Sequence, residues 1–296
     1  MRTAPADVAL GGLFVLIWAS AFSSAKLLLQ EWPPLWALAI RFALTSAVML
    51  PVFLWQFSAG RAVLPSPADR LRLLAMGSVG VGGYLALSWE SMARIPSGLT
   101  ALLAATAPLF VAAGEVLLFG RRLPGLAWAG LALGWSGVAI LGGARAVAGM
   151  HGAEASGVLF AIGGALAQAT GILLYAPARG RIGPWTANLG QCLASAAMTL
   201  SLALLLEGSP PGMASTPALL SLAYTILVVG IAGYGLYFVM LRRLPPSTAA
   251  ALQLTAPPLA ALFGWALLGE RLGWTDIMGG MVTLAGLAVL FRARRD

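Results

Sequence analysis

The chain has 296 residues, of which 59% are hydrophobic and only 9% charged, where a soluble domain carries about 25% charged residues. A soluble fold of this size would expose more apolar surface than water tolerates, so a single domain embedded in a lipid bilayer is expected. The net charge of +8 does not point to nucleic acid, because the arginines stand singly or in pairs beside apolar runs.

One cysteine, Cys192, and one histidine, His151, exclude an internal disulfide framework and a His/Cys zinc cluster. No Walker-type glycine loop is present, so nucleotide hydrolysis of that kind is excluded, and no cofactor or metal is expected. The segment Met1–Ala9 is short and leads into a long span with no polar mature domain behind it, so a cleaved signal peptide is not expected.

A spanning helix needs about 20 mostly apolar residues. Ten are predicted, roughly over 8–28, 34–55, 71–92, 97–118, 124–141, 155–175, 185–205, 218–241, 247–268 and 273–291. The first carries Trp18 near its middle, a cavity candidate or a core residue, and Lys26 near its end. The second holds Arg41, about 10 Å inside its outer end at 1.5 Å per residue. A charge at that depth is a functional candidate. Arg41 either takes a substrate carboxylate or forms a structural pair with Glu90 of the third span. Lys26 and Glu90 are expected to snorkel or to pair with each other.

The third span also contains Gly80-Val-Gly-Gly83-Tyr84, whose glycines permit close helix approach and whose phenol wants a polar partner. In the fourth, Pro108 removes an N–H and frees the carbonyl of Ala104. Glu115 is expected to pair locally with the Arg121–Arg122 region. The fifth span has a GxxxG pattern, Gly130 to Gly134, suited to a dimer or to packing inside one bundle. The sixth and seventh add Gln168, Asn188 and Gln191. The eighth repeats Gly230-Ile-Ala-Gly233-Tyr234, and the ninth offers Gln253, Thr255 and a second mid-helix break at Pro257. Gln253 joins a polar side chain to a carbonyl freed by that proline. Carbonyls released in this way must face protein or a wet cavity. No carboxylate sits at mid-depth, which weakens proton coupling through a central Asp or Glu. Trp32, Trp36, Trp55, Trp128, Trp185, Trp265 and Trp274 lie near span ends and fit an interfacial belt, unlike Trp18 and Trp135.

With the N-terminus inside, thirteen arginines fall on the inner side and three in outer loops. That bias predicts both termini in the cytoplasm. Thr106-Ala-Pro108 recurs as Thr255-Ala-Pro257, and Gly120, Arg122, Leu123, Gly130 and Gly137 recur as Gly269, Arg271, Leu272, Gly279 and Gly286. The offset is about 149 to 150 residues. Two repeats, 1–148 and 149–296, with five spans each must lie upside down relative to one another. The fold class is therefore an all-α membrane protein of ten helices in two inverted repeats, the plan of many secondary transporters.

These features together resemble the drug/metabolite transporter superfamily, in its ten-helix EamA-type branch. The resemblance rests on Trp18-Ala-Ser-Ala-Phe22 with Lys26, Pro34 with Arg41-Phe42, Thr100-Ala-Leu102 through Pro108-Leu109, and Leu268-Gly-Glu-Arg-Leu272. It departs where Gly120-Arg121-Arg122 stands in place of the acidic residue that Glu270 supplies in the second half. The resemblance implies export of small metabolites across a bacterial inner membrane, amino acids including aromatic ones being the first expectation and purines or amphipathic drugs the alternatives. Alternating access would then use Trp18, Arg41, Tyr84, Tyr234 and Gln253 for substrate, with Pro108, Pro257, Gly83 and Gly233 as break or gating points. A receptor or structural subunit would not need the duplication, and an enzyme would need acids, bases or metal ligands grouped at one depth. The oligomeric state stays open, a monomer being slightly favoured.

Overall fold

Prolines open helix after helix. Pro34, Pro67 and Pro184 sit in first turns, where a missing N–H leaves no bond unmade. Ser66 and Ser215 cap two of the starts by accepting from the backbone N–H of Asp69 at 3.2 Å and of Ala218 at 3.4 Å. The computed structural model describes residues 5–120, 122–147, 153–178, 180–237 and 256–293.

Ten helices result among the described residues: α1 Pro5–Leu28, α2 Pro34–Ser58, α3 Pro67–Met92, α4 Ser97–Leu118, α5 Gly125–Val147, α6 Glu154–Ala178, α7 Pro184–Leu206, α8 Thr216–Tyr237, α9 Ala256–Leu268 and α10 Trp274–Ala293. Eight of them are long and apolar enough to cross a membrane, while the apolar runs Gly125–Ile140 of α5 and Ala256–Leu268 of α9 are shorter. No strand occurs among the described residues. The third helix starts four residues before the expected position 71. The Ser66 cap and Pro67 initiate it, and its charged first turn is held by pairs from Asp69 to Arg72 and Arg181. The N-terminal part of the expected ninth span, with Gln253 and Thr255, and His151 lie outside the described residues.

Three helices are irregular where the sequence repeats itself. The segments Met76–Gly83 of α3 and Thr225–Gly233 of α8 are π-helical, and each runs directly into the tyrosine that follows, Tyr84 or Tyr234. A π turn leaves carbonyls poorly satisfied, and lipid cannot satisfy them. Neighbouring side chains do so here. Ser195 Oγ donates to the Gly77 carbonyl at 2.7 Å, Asn188 Nδ2 to Gly230 at 3.0 Å and Arg41 Nε to Thr225 at 3.2 Å. The third irregularity is in α4, which stops at Ala104 and restarts at Ala107, with Pro108 in the first turn of the second piece. Thr106 Oγ1 covers the Leu103 carbonyl at 2.6 Å.

Close helix pairs join the two halves of the chain. α1 packs on α8 and α9, α2 on α7 and α8, α3 on α6 and α7, α4 on α6 and α9, and α5 on α10. Replacing each helix by the one five places away maps this set of pairs onto itself. Glycine makes the tightest crossings possible: a Cβ on Gly80 would come within 2.6 Å of Gly171 Cα, and one on Gly130 within 2.6 Å of the Leu290 nitrogen. The Gly130–Gly134 pattern thus serves packing within one bundle, with α5 against α10. Trp55, Trp128, Trp185, Trp265 and Trp274 are exposed as expected. Trp36 is buried instead, its Nε1 donating to the Gly208 carbonyl of the α7–α8 connection at 3.2 Å. Trp135 packs edge-on against Phe110, the ring centres 4.8 Å apart.

Candidate functional site

Two ends of the bundle differ. At one end lie the α1–α2, α3–α4, α7–α8 and α9–α10 connections, and three carboxylates pin helix starts belonging to the other half of the chain. Glu207 accepts from the N–H groups of Leu35 and Trp36 at 2.9 and 2.8 Å, at the first turn of α2. Glu31 accepts from Ser215 N–H at 2.7 Å and from the Ser215 hydroxyl, at the start of α8. Glu270 accepts from Ser97 N–H at 3.0 and 2.9 Å and from Ser97 Oγ at 2.6 Å, at the start of α4. Lys26 adds an ion pair to Glu270 at 3.4 Å and donates to the Ile95 carbonyl at 2.8 Å. A carboxylate at a helix start gains from free N–H groups and from the helix dipole. The bonds from Ser215 hold the Glu31 carboxyl below the ordinary carboxylate range. Lower on the same faces, Ser24 meets Ser221 at 3.0 Å and Ser20 meets the Tyr224 hydroxyl at 2.6 Å.

These contacts correct two expectations. Lys26 does not pair with Glu90, and Arg41 does not either. Glu90 closes on Arg94 one turn along its own helix, a local partner that needs no second helix to bring it near. Lys26 is drawn to Glu270 because both lie at the same end of the bundle.

At the opposite end a cavity of 390 Å³ enters the bundle. Exposed Ala176 and Gly180 at the α6–α7 connection form part of its rim. Its walls include both pieces of the broken α4, through Ala104, Ala107 and Pro108, and the start of described α9, through Ala256 and Pro257. Gln168 and Gln191 add amides, and Tyr175 and Tyr237 add phenols. At the α3 start near this end, Arg181 donates to Asp69 at 3.0 Å, and that bond raises the Arg181 pKa.

The inner wall of the cavity is aromatic. Trp18, Phe22, Tyr84 and Tyr234 line it. The Trp18 and Tyr234 rings meet edge-on with centres 5.1 Å apart, and Trp18 also lies 5.3 Å from Phe14 and 6.2 Å from Tyr237. Behind the same four residues is a second, small cavity of about 30 Å³, bounded by Arg41, Ser88, Trp89, Met92 and Thr225. It lies on the side toward the pinned end.

The structure thus brings together Trp18, Tyr84, Tyr234, Pro108 and Pro257 at one cavity and sets Arg41 behind its wall. Gly83 and Gly233 stand outside it: a Cβ on Gly83 would meet Ser78 and Ala167, and one on Gly233 would meet Ile17 at 3.0 Å. Gly80, three residues earlier, does line the cavity. Among the described residues no group of His, Cys, Asp and Glu is arranged to hold a metal ion. Glu31 and Glu207 were not singled out from the sequence, and Glu270 was marked there only as a motif residue, without its partner Ser97. The available signal was three acids in connections at one end of the bundle, with the helix starts Pro33-Pro34 and Pro96-Ser97 at the same end.

A lined, largely apolar cavity with a few amides and phenols suits a small amphipathic molecule. Comparison with known proteins agrees with a transport role. The EamA-like transporter family model matches the chain twice, over residues 8–143 and 155–292. An uncharacterized inner membrane transporter of Escherichia coli K12, YedA, is 26% identical, with 94% of this chain and 89% of that protein aligned. A protein of Salmonella typhimurium named "Probable amino-acid metabolite efflux pump" is 29% identical over 96% and 95%. One of Streptantibioticus cattleyicolor named "Probable terminal-alkyne amino-acid exporter" is 27% identical over 95% and 91%. A solved crystal structure superposes with a TM-score of 0.65 at 23% identity, over 99% of each chain, and shares the fold.

Proposed function

The chain belongs to the EamA-like transporter family, and we propose that it exports small amino-acid-like metabolites, aromatic or hydrophobic ones included, across a bacterial inner membrane by alternating access. The observation that carries this reading is the contrast between the ends: a cavity entered from one side, with the far side pinned by contacts between the two halves. Moving one half against the other breaks such contacts on one side and makes new ones on the other.

Two further observations support it. The close pairs between the two halves named above survive the exchange of each helix for the one five places on, as expected for repeats 1–148 and 149–296 of opposite orientation. The end with the open cavity carries Arg61, Arg70, Arg72, Arg122, Arg181 and Arg292, which by the positive-inside rule makes it cytoplasmic. Both termini are then cytoplasmic and the structure is inward-open. Trp18, Tyr84 and Tyr234 contact the cargo, while the breaks at Pro108 and Pro257 supply bending and free carbonyls. The relatives named for amino-acid export favour that substrate class over purines or cationic drugs.

The test is efflux from proteoliposomes loaded with labelled amino acids, purines and cationic drugs, with and without a pH gradient. Saturable efflux of an aromatic or hydrophobic amino acid is expected. Saturable efflux of purines or drugs alone would overturn the substrate class, and no flux from folded, inserted protein would overturn the transport reading.

A further inference from the structure

Among the described residues Arg41 is a buried cation with no carboxylate paired to it. It is 3% exposed and lies well inside α2. A guanidinium offers five N–H donors. One of them is engaged, Nε donating to the Thr225 carbonyl at 3.2 Å, and the Phe42 and Trp89 rings lie 5.3 and 5.7 Å from its central carbon. Among the described residues no carboxylate is within ion-pair reach. Glu90 is held by Arg94, and Glu270 by Ser97 and Lys26. A charge inside an apolar bundle is retained only when something pairs with it or hydrates it.

Space for such a partner adjoins it. The cavity of about 30 Å³ beside Arg41 has room for roughly two water molecules, the size of a carboxylate's two oxygens. Ser88 lines it, fully buried, beside the Tyr84 phenol on the same wall. A planar guanidinium and a neighbouring hydroxyl are the donor set that a carboxylate takes, two oxygens on the fork and a third bond from the hydroxyl.

We propose that this chamber is a carboxylate station: the cargo's carboxylate binds Arg41 and Ser88 while its side chain occupies the main cavity. The proposal rests on the transport reading above. Trp18, Phe22, Tyr84 and Tyr234 form the wall common to both spaces, so parting the Trp18–Tyr234 contact joins them. The chamber lies on the side of the pinned end and is thus the next stop on the way out. The station makes the protein select acids over the corresponding amines.

The experiment measures binding to the purified full-length protein, by calorimetry, of three probes that share a phenyl ring. L-phenylalanine and hydrocinnamate carry a carboxylate, and phenethylamine does not. Wild-type protein is expected to bind both acids more tightly than the amine. Arg41→Gln should weaken the acids by tenfold or more and leave phenethylamine within twofold, with Arg41→Lys intermediate. Ser88→Ala keeps the buried charge and removes only the hydroxyl, so it guards against a misfolded Arg41 variant. It should weaken the acids about threefold. Equal losses for all three probes, no preference for acids in the wild type, or acid affinity indifferent to both substitutions would overturn the proposal. Efflux assays separate the two readings. Acid preference without any flux sinks transport and leaves the station, whereas flux of L-phenylalanine with selectivity independent of Arg41 sinks the station alone.

Discussion

Glu270 is the residue whose loss should most change which end of the bundle opens. It joins α4 to the α9–α10 connection through Ser97 N–H, Ser97 Oγ and Lys26 Nζ at 2.6 to 3.4 Å. The Glu270 and Lys26 side chains are 13% and 24% exposed, so water screens the cluster only in part. Hydrogen bonds to a charged group contribute about 1.5–3 kcal/mol each. Glutamine in place of Glu270 still accepts one bond from Ser97 but loses the ion pair and the second acceptor. A net weakening of about 2 kcal/mol is expected, which shifts the balance between pinned and open by a factor of roughly thirty at 1.4 kcal/mol per tenfold. Ala25, 1% exposed beneath this end, provides the reporter. Ala25→Cys in a Cys192→Ala background, treated with a membrane-impermeant maleimide, should react 10- to 30-fold faster once Glu270→Gln is added, a range that follows from the same conversion. Equal labelling rates in folded, monodisperse protein would refute the claim that Glu270 holds this end shut.

Other consequences follow from the same geometry. Gly80→Ala drives a methyl group into Gly171 Cα, and overpacking of this kind costs about 1–3 kcal/mol, so a lower melting temperature by thermal shift is expected and an unchanged one would contradict the close crossing. Trp18→Ala removes an aromatic side chain from the wall of both cavities; L-phenylalanine should bind about tenfold more weakly, the equivalent of roughly 1.4 kcal/mol, and unaltered binding would take Trp18 out of the site. Pro257→Ala should change transport without preventing membrane insertion, and unchanged flux would remove that break from the mechanism. Glu31 has a lowered pKa because Ser215 donates to its ionised form. Its contribution is complete above the ordinary carboxylate value of about 4.3 and fades as pH falls through its own lower value. Thermal stability should drop on acidification through that window, and less so in Glu31→Gln; identical acid profiles would contradict the assignment.

What could be read from the sequence was what is local or repeated. Apolar runs gave the helices close to their expected bounds wherever both ends are described, the ninth being described only from Ala256, and the duplicated glycines of α5 and α10 turned out to face one another. Tyr84 and Tyr234, picked out by the repeat, meet at one wall with Trp18. What could not be read depends on geometry that composition does not encode. Nothing in Met76–Gly83 distinguishes a π turn from an α turn, because the same small apolar residues suit both. Partners far apart in the chain were equally hidden. Depth within a span made Glu90 a plausible mate for Arg41 or Lys26, yet Arg94, four residues on, was the nearer choice. Trp36 counted as a belt residue by its place at a helix end, but the α7–α8 connection, 172 residues away, folds over it. Gln253, the polar residue favoured for substrate contact, lies outside the described residues and stays a proposal.

Counterflow is the most direct test of alternating access in this protein. Proteoliposomes preloaded with unlabelled L-phenylalanine and diluted into tracer should take up label transiently above equilibrium, because a carrier that opens its binding site to the two sides in turn exchanges cargo across the membrane. That overshoot is expected, and so is its loss when Trp18 or Arg41 is replaced. If tracer enters without any overshoot, through protein shown to be folded and inserted, alternating access around this cavity is contradicted.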